Sequence, residues 1–155
     1  MRQLKQPVLF IGAGSMGSAI LRGALEAGTL DARRLAVADP DADRRAGYAN
    51  AFAASAEAID WLIQHDPEDR GIIVLAIKPQ SLRAVAREIR PQLEGSQRLV
   101  ITILAGAPSE TVRDVLGGTV RVIRVMPNLP AQVQRGISAI ARGAGAGAGD
   151  ESIAS

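Results

Sequence analysis

The chain has 155 residues, of which 47% are apolar and only four are aromatic, and it carries a net charge of +2. That is one domain's length, with a core that must be built from Ala, Val, Ile and Leu. The absence of cysteine and the single His65 exclude disulfides, thiolate metal centres and a histidine metal site, and the interspersed, nearly balanced charges argue against nucleic acid as a partner.

Arg2 and Lys5 ahead of an apolar run imitate a secretory leader, but Pro7 opens the run and a glycine cuts it short. No apolar stretch approaches the roughly 20 residues of a membrane span, so the expectation is a soluble, cytoplasmic protein with no membrane partner. Residues 8–11 are the first buried strand. Gly12, Gly14 and Gly17 follow it in the G-x-G-x-x-G spacing, with Ser15 and Met16 inside the motif and a helical pattern beginning at once. In this context Gly12 makes the turn, Gly14 lets a pyrophosphate approach the backbone, and Gly17 lets the helix lie close to the strand. The free N–H groups and positive end of the new helix then hold the phosphates. Ala19, Gly23 and Ala27 form a ridge of small side chains along that helix, and Gly28 stops it.

A second short strand at 35–38 ends on Asp39, 22 residues beyond Gly17, close to where this motif expects a carboxylate for the ribose. If Asp39 lies nearest the ribose, NADH is favoured over NADPH, whereas Arg44 and Arg45 offer guanidinium forks to a phosphate. Asp39 or Asp41 could equally cap a helix over 41–49. A weak third strand is expected over 50–54, then a helix over 56–64 capped by Ser55, then a polar loop over 65–71. Trp61 and His65 are read as a helix-packing indole and a loop-side imidazole.

Residues 72–77 form the clearest buried strand, since an unbroken apolar run is what a parallel strand covered on both faces requires. It leads through Ala76 into Lys78, Pro79 and Gln80, and a helix over 81–90. A strand at 98–103, a loop carrying Ala105 and Gly106, a helix at 109–116 and a strand at 120–125 come next, then Met126, Pro127, Asn128 and a last strand at 137–141. Strands alternating with helices predict an α/β, doubly wound Rossmann-type, mostly parallel sheet with helices on both faces. Ligands bind such sheets beyond the carboxyl ends of the strands, where the glycine loop, Asp39, Lys78, Gly106 and Asn128 all fall. The domain is expected over 1–142. Residues 143–155, a Gly/Ala repeat with a short tail, read as a flexible linker or a truncated stub.

The segments GAGSMGSAI, AIKPQ, LAG and RVMPNLP, in this order and spacing, resemble the cofactor domain of the pyrroline-5-carboxylate reductase family over residues 7–142. The resemblance implies hydride transfer from NADPH or NADH to the imine of 1-pyrroline-5-carboxylate, giving L-proline. It also implies a C-terminal helical domain that makes a homo-oligomer and supplies much of the pocket for the small imino-acid substrate. On this resemblance, that domain and the helix and strand expected after residue 141 are expected to be missing from these 155 residues. The stretch 61–70 is longer than the usual connection, and Ala56 stands near where relatives often place a polar residue facing the cofactor. Cofactor-binding residues are therefore expected at Gly12, Gly14, Ser15, Met16, Gly17, Asp39, Ala76, Lys78, Pro79, Ala105, Gly106 and Asn128.

Lys78 is one of two lysines against sixteen arginines, at a strand end, where it could orient the nicotinamide or attract a carboxylate; a surface turn lysine is the plainer reading. Asn128 offers both a donor and an acceptor, or simply forms a turn between prolines. No proton donor is identifiable, and the isolated chain is expected to lack reductase activity. Two other readings stand beside this one: a non-catalytic dinucleotide-binding or interaction module, and a beta-hydroxyacid-dehydrogenase-like enzyme domain.

Overall fold

The computed structural model describes residues 3–127 and 138–155. Among these residues, seven strands form one sheet in the order β3-β2-β1-β4-β5-β6-β7. They are β1 Val8–Ile11, β2 Leu35–Ala38, β3 Asn50–Phe52, β4 Ile72–Leu75, β5 Leu99–Thr102, β6 Arg121–Pro127 and β7 Ser138–Arg142. All neighbouring pairs are parallel except β6 with β7, so the doubly wound sheet is as expected, closed by an antiparallel edge. The strand order reverses between β1 and β4, which makes the crevice beyond their ends the switch point where such sheets bind ligands.

Alternation explains why these strands are apolar throughout. Leu9, Ile11, Ile73, Leu75, Val100 and Val122 face one layer, while Val8, Phe10, Ile72 and Val74 face the other. The first layer contains α3 Ser55–His65, α4 Leu82–Leu93 and α5 Ser109–Val115, with Ile59, Leu62, Ile89 and Val112 fully buried. The second contains α1 Ser15–Glu26, whose Leu21 is fully buried. Farther along that face, Ile101, Val125 and Ile153 line an apolar groove of about 250 Å³, which includes no residue of the glycine loop.

Several boundaries differ from the sequence expectation for visible reasons. The helix expected over 41–49 is the single turn α2, Ala42–Arg45, because Gly47 takes a φ of +90° and ends it. Strand β4 stops at Leu75 rather than 77, since the chain turns where Ala76 meets Gly12. Helix α4 continues through Pro91 to Leu93, whose complete burial offsets the lost backbone bond. Ser55 is not the cap of α3; Glu88 on α4 accepts from the Ala56 N–H at 3.0 Å instead. Trp61 does pack into the core, and His65 stacks on it at the last turn of α3, with ring centroids 4.4 Å apart.

The Gly/Ala segment is not a free linker. The N–H of Gly143 donates to the Val122 carbonyl at 2.8 Å, and Val122 donates back to Ala144 at 2.9 Å. A Cβ on Gly143 would stand 2.5 Å from the Ser109 Cβ, so the repeat is small where it runs tight against α5. It ends in the short helix α6, Glu151–Ala154, anchored by the buried Asp150, which pairs with Arg121 and accepts from the Gly147 N–H at 2.9 Å.

Candidate functional site

Strand β1 delivers the chain to the centre of the sheet's carboxyl end, and its ladder continues one residue further, from the Gly12 N–H to the Ala38 carbonyl at 2.8 Å. Gly12 has a φ of +98°, and a Cβ there would lie 2.5 Å from the Ala76 carbonyl oxygen. Gly17, in the first turn of α1, would bring its Cβ to 2.7 Å from the Gly12 carbonyl oxygen and 3.0 Å from the Ala76 Cβ. The chain itself demands glycine at both positions. Gly14 is different: its backbone is extended, at φ −66° and ψ −174°, and the nearest atom to a Cβ is Arg44 Nη1 at 3.9 Å. Nothing among the described residues requires Gly14 to lack a side chain.

Gly14 is also the N-cap of α1, and no side chain among the described residues caps it. The helix ladder opens with the Ser18 N–H donating to the Gly14 carbonyl at 2.8 Å. The first four N–H groups, from Gly14 to Gly17, therefore have no intrahelical acceptor. An uncapped helix start beside an open glycine fits a pyrophosphate, which supplies both the acceptors and the negative charge.

Asp39 ends β2 as expected and is almost wholly buried, with 4% exposure. Its Oδ2 accepts from the Ala13 N–H at 2.8 Å and its Oδ1 from the Asp41 N–H at 2.9 Å. Asp39 thus ties the glycine loop to the turn after β2. The capping role falls to Asp41, which accepts from the Asp43 N–H at 2.9 Å. The two arginines divide as sharply. Arg45 Nη1 donates to the carbonyls of Asp39 and Pro40 at 2.8 and 2.9 Å, bracing the turn. Arg44 stays half-exposed, 3.9 Å from Asp39 Oδ2 and 3.4 Å from Asp41 Oδ2.

The other expected site residues collect at the same edge. Ala76 packs against Gly12 and Gly17, and its N–H donates to the Ile11 carbonyl at 2.8 Å, so it shapes the loop from β4. Lys78 and Pro79 are exposed in a tight turn over Pro79–Ser81, and Lys78 has no ion pair among the described residues. Ala105 and Gly106 are exposed just past β5, Gly106 at φ +70°. Ser15 is exposed and Met16 half-buried at the start of α1. Asn128 lies outside the described residues. Sequence reasoning missed Ala13, whose contribution is a backbone N–H and leaves no mark on residue identity. It also could not separate Arg44 from Arg45, adjacent residues of the same type.

A parallel sheet with a switch-point crevice, a glycine turn and an uncapped helix start defines a dinucleotide-binding domain of the Rossmann class. Residues 7–106 match the family described as NADP oxidoreductase, coenzyme F420-dependent, and the chain belongs to that family. It is 35% identical over 138 residues to pyrroline-5-carboxylate reductase of Pseudomonas aeruginosa, covering 86% of this chain and 47% of the relative. Against the Methanosarcina acetivorans enzyme of the same name the figures are 34% identity, 89% and 50%. The chain spans about half the length of the curated relatives it matches. Among solved structures it is similar to Plasmodium falciparum pyrroline carboxylate reductase with NADP bound, with a TM-score of 0.79 and 25% identity over 99% of this chain and 54% of that one. The Coxiella burnetii reductase, at 24% identity and a TM-score of 0.80 over 97% and 54% of the two chains, agrees in fold.

Proposed function

We propose that this chain is the cofactor-binding domain of a cytoplasmic pyrroline-5-carboxylate reductase, an enzyme that reduces the imine of 1-pyrroline-5-carboxylate to L-proline with NADPH or NADH. The observation that carries the reading is Gly14: an open glycine at an uncapped helix start, between two glycines that the fold itself requires. The similarity to reductases of that name supports the substrate class. A bound nicotinamide dinucleotide supplies the hydride.

The chain's residues bind and orient. In this reading the N–H groups of Gly14, Ser15, Met16 and Gly17 take the pyrophosphate, and Asp39 keeps the loop in place through Ala13. Ala76 fixes the loop's height above the sheet. Lys78, Pro79, Ala105 and Gly106 flank the nicotinamide end, and Asn128 is assigned to the cofactor from the sequence motif alone. These groups build one wall of a reaction site. Near-attack geometry needs a second wall that holds the substrate carboxylate and excludes water, an advantage of about 7–11 kcal/mol in favourable cases. The 155-residue chain alone is therefore expected to bind dinucleotide but not to turn over. Calorimetric titration with NADPH and NADH, together with an assay of their oxidation by pyrroline-5-carboxylate, tests both halves. Failure to bind either dinucleotide refutes the binding reading; turnover at the rate of a two-domain relative refutes the division of labour.

A further inference from the structure

We infer that Arg44 reads the 2′-phosphate of the dinucleotide, so that this chain prefers NADPH to NADH; the inference rests on the dinucleotide reading above. The acid at the expected ribose position does not present a free carboxylate. Asp39 is 4% exposed, and each of its oxygens already accepts a backbone N–H, one from the glycine loop and one from the following turn. The spacing that favours NADH is satisfied in sequence, while the carboxylate is spent on positioning the loop.

Arg44 stands where that carboxylate would otherwise act. Its Nη1 is the nearest atom to the missing Cβ of Gly14, at 3.9 Å, so the guanidinium borders the pyrophosphate position on the β2 side, where the adenosine ribose lies in this fold. It is half-exposed and makes no side-chain hydrogen bond to the described residues; its contacts with Asp39 and Asp41, at 3.9 and 3.4 Å, are ionic. Those two acids hold the fork at the crevice without saturating its donors. A phosphate monoester on the ribose would meet a planar, permanently charged fork that matches its oxygens. Arg45, next in sequence, is not available for this, because its Nη1 is committed to two backbone carbonyls. Asp41 and Asp43 oppose a phosphate, but both are exposed, and water and salt weaken that repulsion more than they weaken a direct hydrogen-bonded contact.

The test is calorimetry at fixed ionic strength on the full chain with four probes: NADPH, NADH, 2′,5′-ADP and 5′-AMP. The wild type is expected to bind NADPH at least about tenfold more tightly than NADH, and 2′,5′-ADP more tightly than 5′-AMP. Arg44→Ala is expected to weaken NADPH by roughly 10- to 100-fold while leaving NADH within about twofold, with Arg44→Lys between the two. Arg44 is half-exposed, so loss of folding is not expected to cloud the result; far-ultraviolet circular dichroism of each variant verifies this. Equal or tighter binding of NADH by the wild type overturns the inference while leaving the dinucleotide reading intact. So does an Arg44→Ala variant that weakens both cofactors alike, which would make the arginine a loop support. Failure of the wild type to bind any of the four probes overturns both.

Discussion

The three glycines of the loop should separate under substitution by alanine. A Cβ at Gly12 would lie 2.5 Å from a backbone oxygen at a φ of +98°, so clash and left-handed strain add. The strain alone costs about 1–2 kcal/mol and the overpacking about 1–3 kcal/mol. Gly17→Ala puts a Cβ 2.7 Å from the Gly12 oxygen at an ordinary helical φ, so it carries only the overpacking, about 1–3 kcal/mol. Gly14→Ala meets nothing closer than 3.9 Å in an allowed backbone region, and its cost is the poorer N-cap, about 0.5–1 kcal/mol. Stability should therefore fall in the order Gly12, Gly17, Gly14. Dinucleotide affinity should fall at least about tenfold in Gly14→Ala, because a methyl group enters the space a pyrophosphate needs. Urea denaturation gives the first ranking and NADPH fluorescence titration the second. The reasoning fails if Gly14→Ala unfolds as readily as Gly17→Ala, or if it binds the cofactor as the wild type does.

Three further outcomes follow from the opposite edge of the sheet and the surface. Arg98, buried at 5% exposure, is held by the Asp66 carboxylate at 3.1 Å, the Asp66 carbonyl at 3.0 Å and Asp69. Arg98→Met leaves Asp66 buried and unpaired and should cost about 3–5 kcal/mol in urea denaturation with cofactor affinity unchanged. Asp150→Ala removes the partner of Arg121 and the acceptor of the Gly147 N–H, and should lower stability by about 1–3 kcal/mol, with faster hydrogen exchange at Gly147. The Asp31 carboxyl is held below its ordinary 3.8 by hydrogen bonds from the Arg33 side chain and backbone, so its contribution to stability is present above 3.8 and fades as pH falls through the lowered value. Carboxyl-detected NMR should show that value rising in Arg33→Ala.

What the sequence disclosed was governed by local rules. Continuous apolar runs marked the buried parallel strands at 8–11 and 72–75, and the G-x-G-x-x-G spacing after the first located the crevice. The sequence misled wherever a distant group decided the outcome. Ser55 looks like a cap, but α3 takes its acceptor from Glu88, 32 residues away from Ala56. The helix expected to end at 90 instead runs through Pro91 to Leu93, which is fully buried. Alternating glycine looks like a tether, yet at 143–145 it is small because α5 and β6 leave no room, with a Cβ on Gly145 reaching 3.0 Å from the Val120 oxygen. Composition reports backbone freedom; it does not say whether the freedom is for motion or for close approach. The same limit applies to Asp39, where spacing located the acid but gave no view of the N–H groups that occupy it.

The two edges of the sheet differ in how their polar groups are satisfied, and this separates stability from recognition. At the amino edge, side chains consume the backbone groups that the strand starts leave over: Arg98 takes the Asp66 carbonyl, Arg121 Nε donates to the Gln97 carbonyl at 2.8 Å, Asp69 accepts from the Gln97 N–H at 2.7 Å, and Arg34 reaches the Lys5 carbonyl. At the carboxyl edge, among the described residues, the start of α1 is uncapped, Lys78 has no ion pair, and the Arg44 fork is held only by ionic contacts. Polar groups in a crevice without protein partners are solvated, and a ligand that supplies matching groups displaces that water. The amino edge has little left to offer a ligand. Substitutions there should act on unfolding alone, whereas Arg44→Ala should act on binding alone and Gly14→Ala chiefly on binding, with the small cost of its poorer N-cap. A variant at the amino edge that shifted the NADPH to NADH ratio without changing stability would contradict this division, because no satisfied group at that edge could reach the cofactor except by moving the strands that separate them.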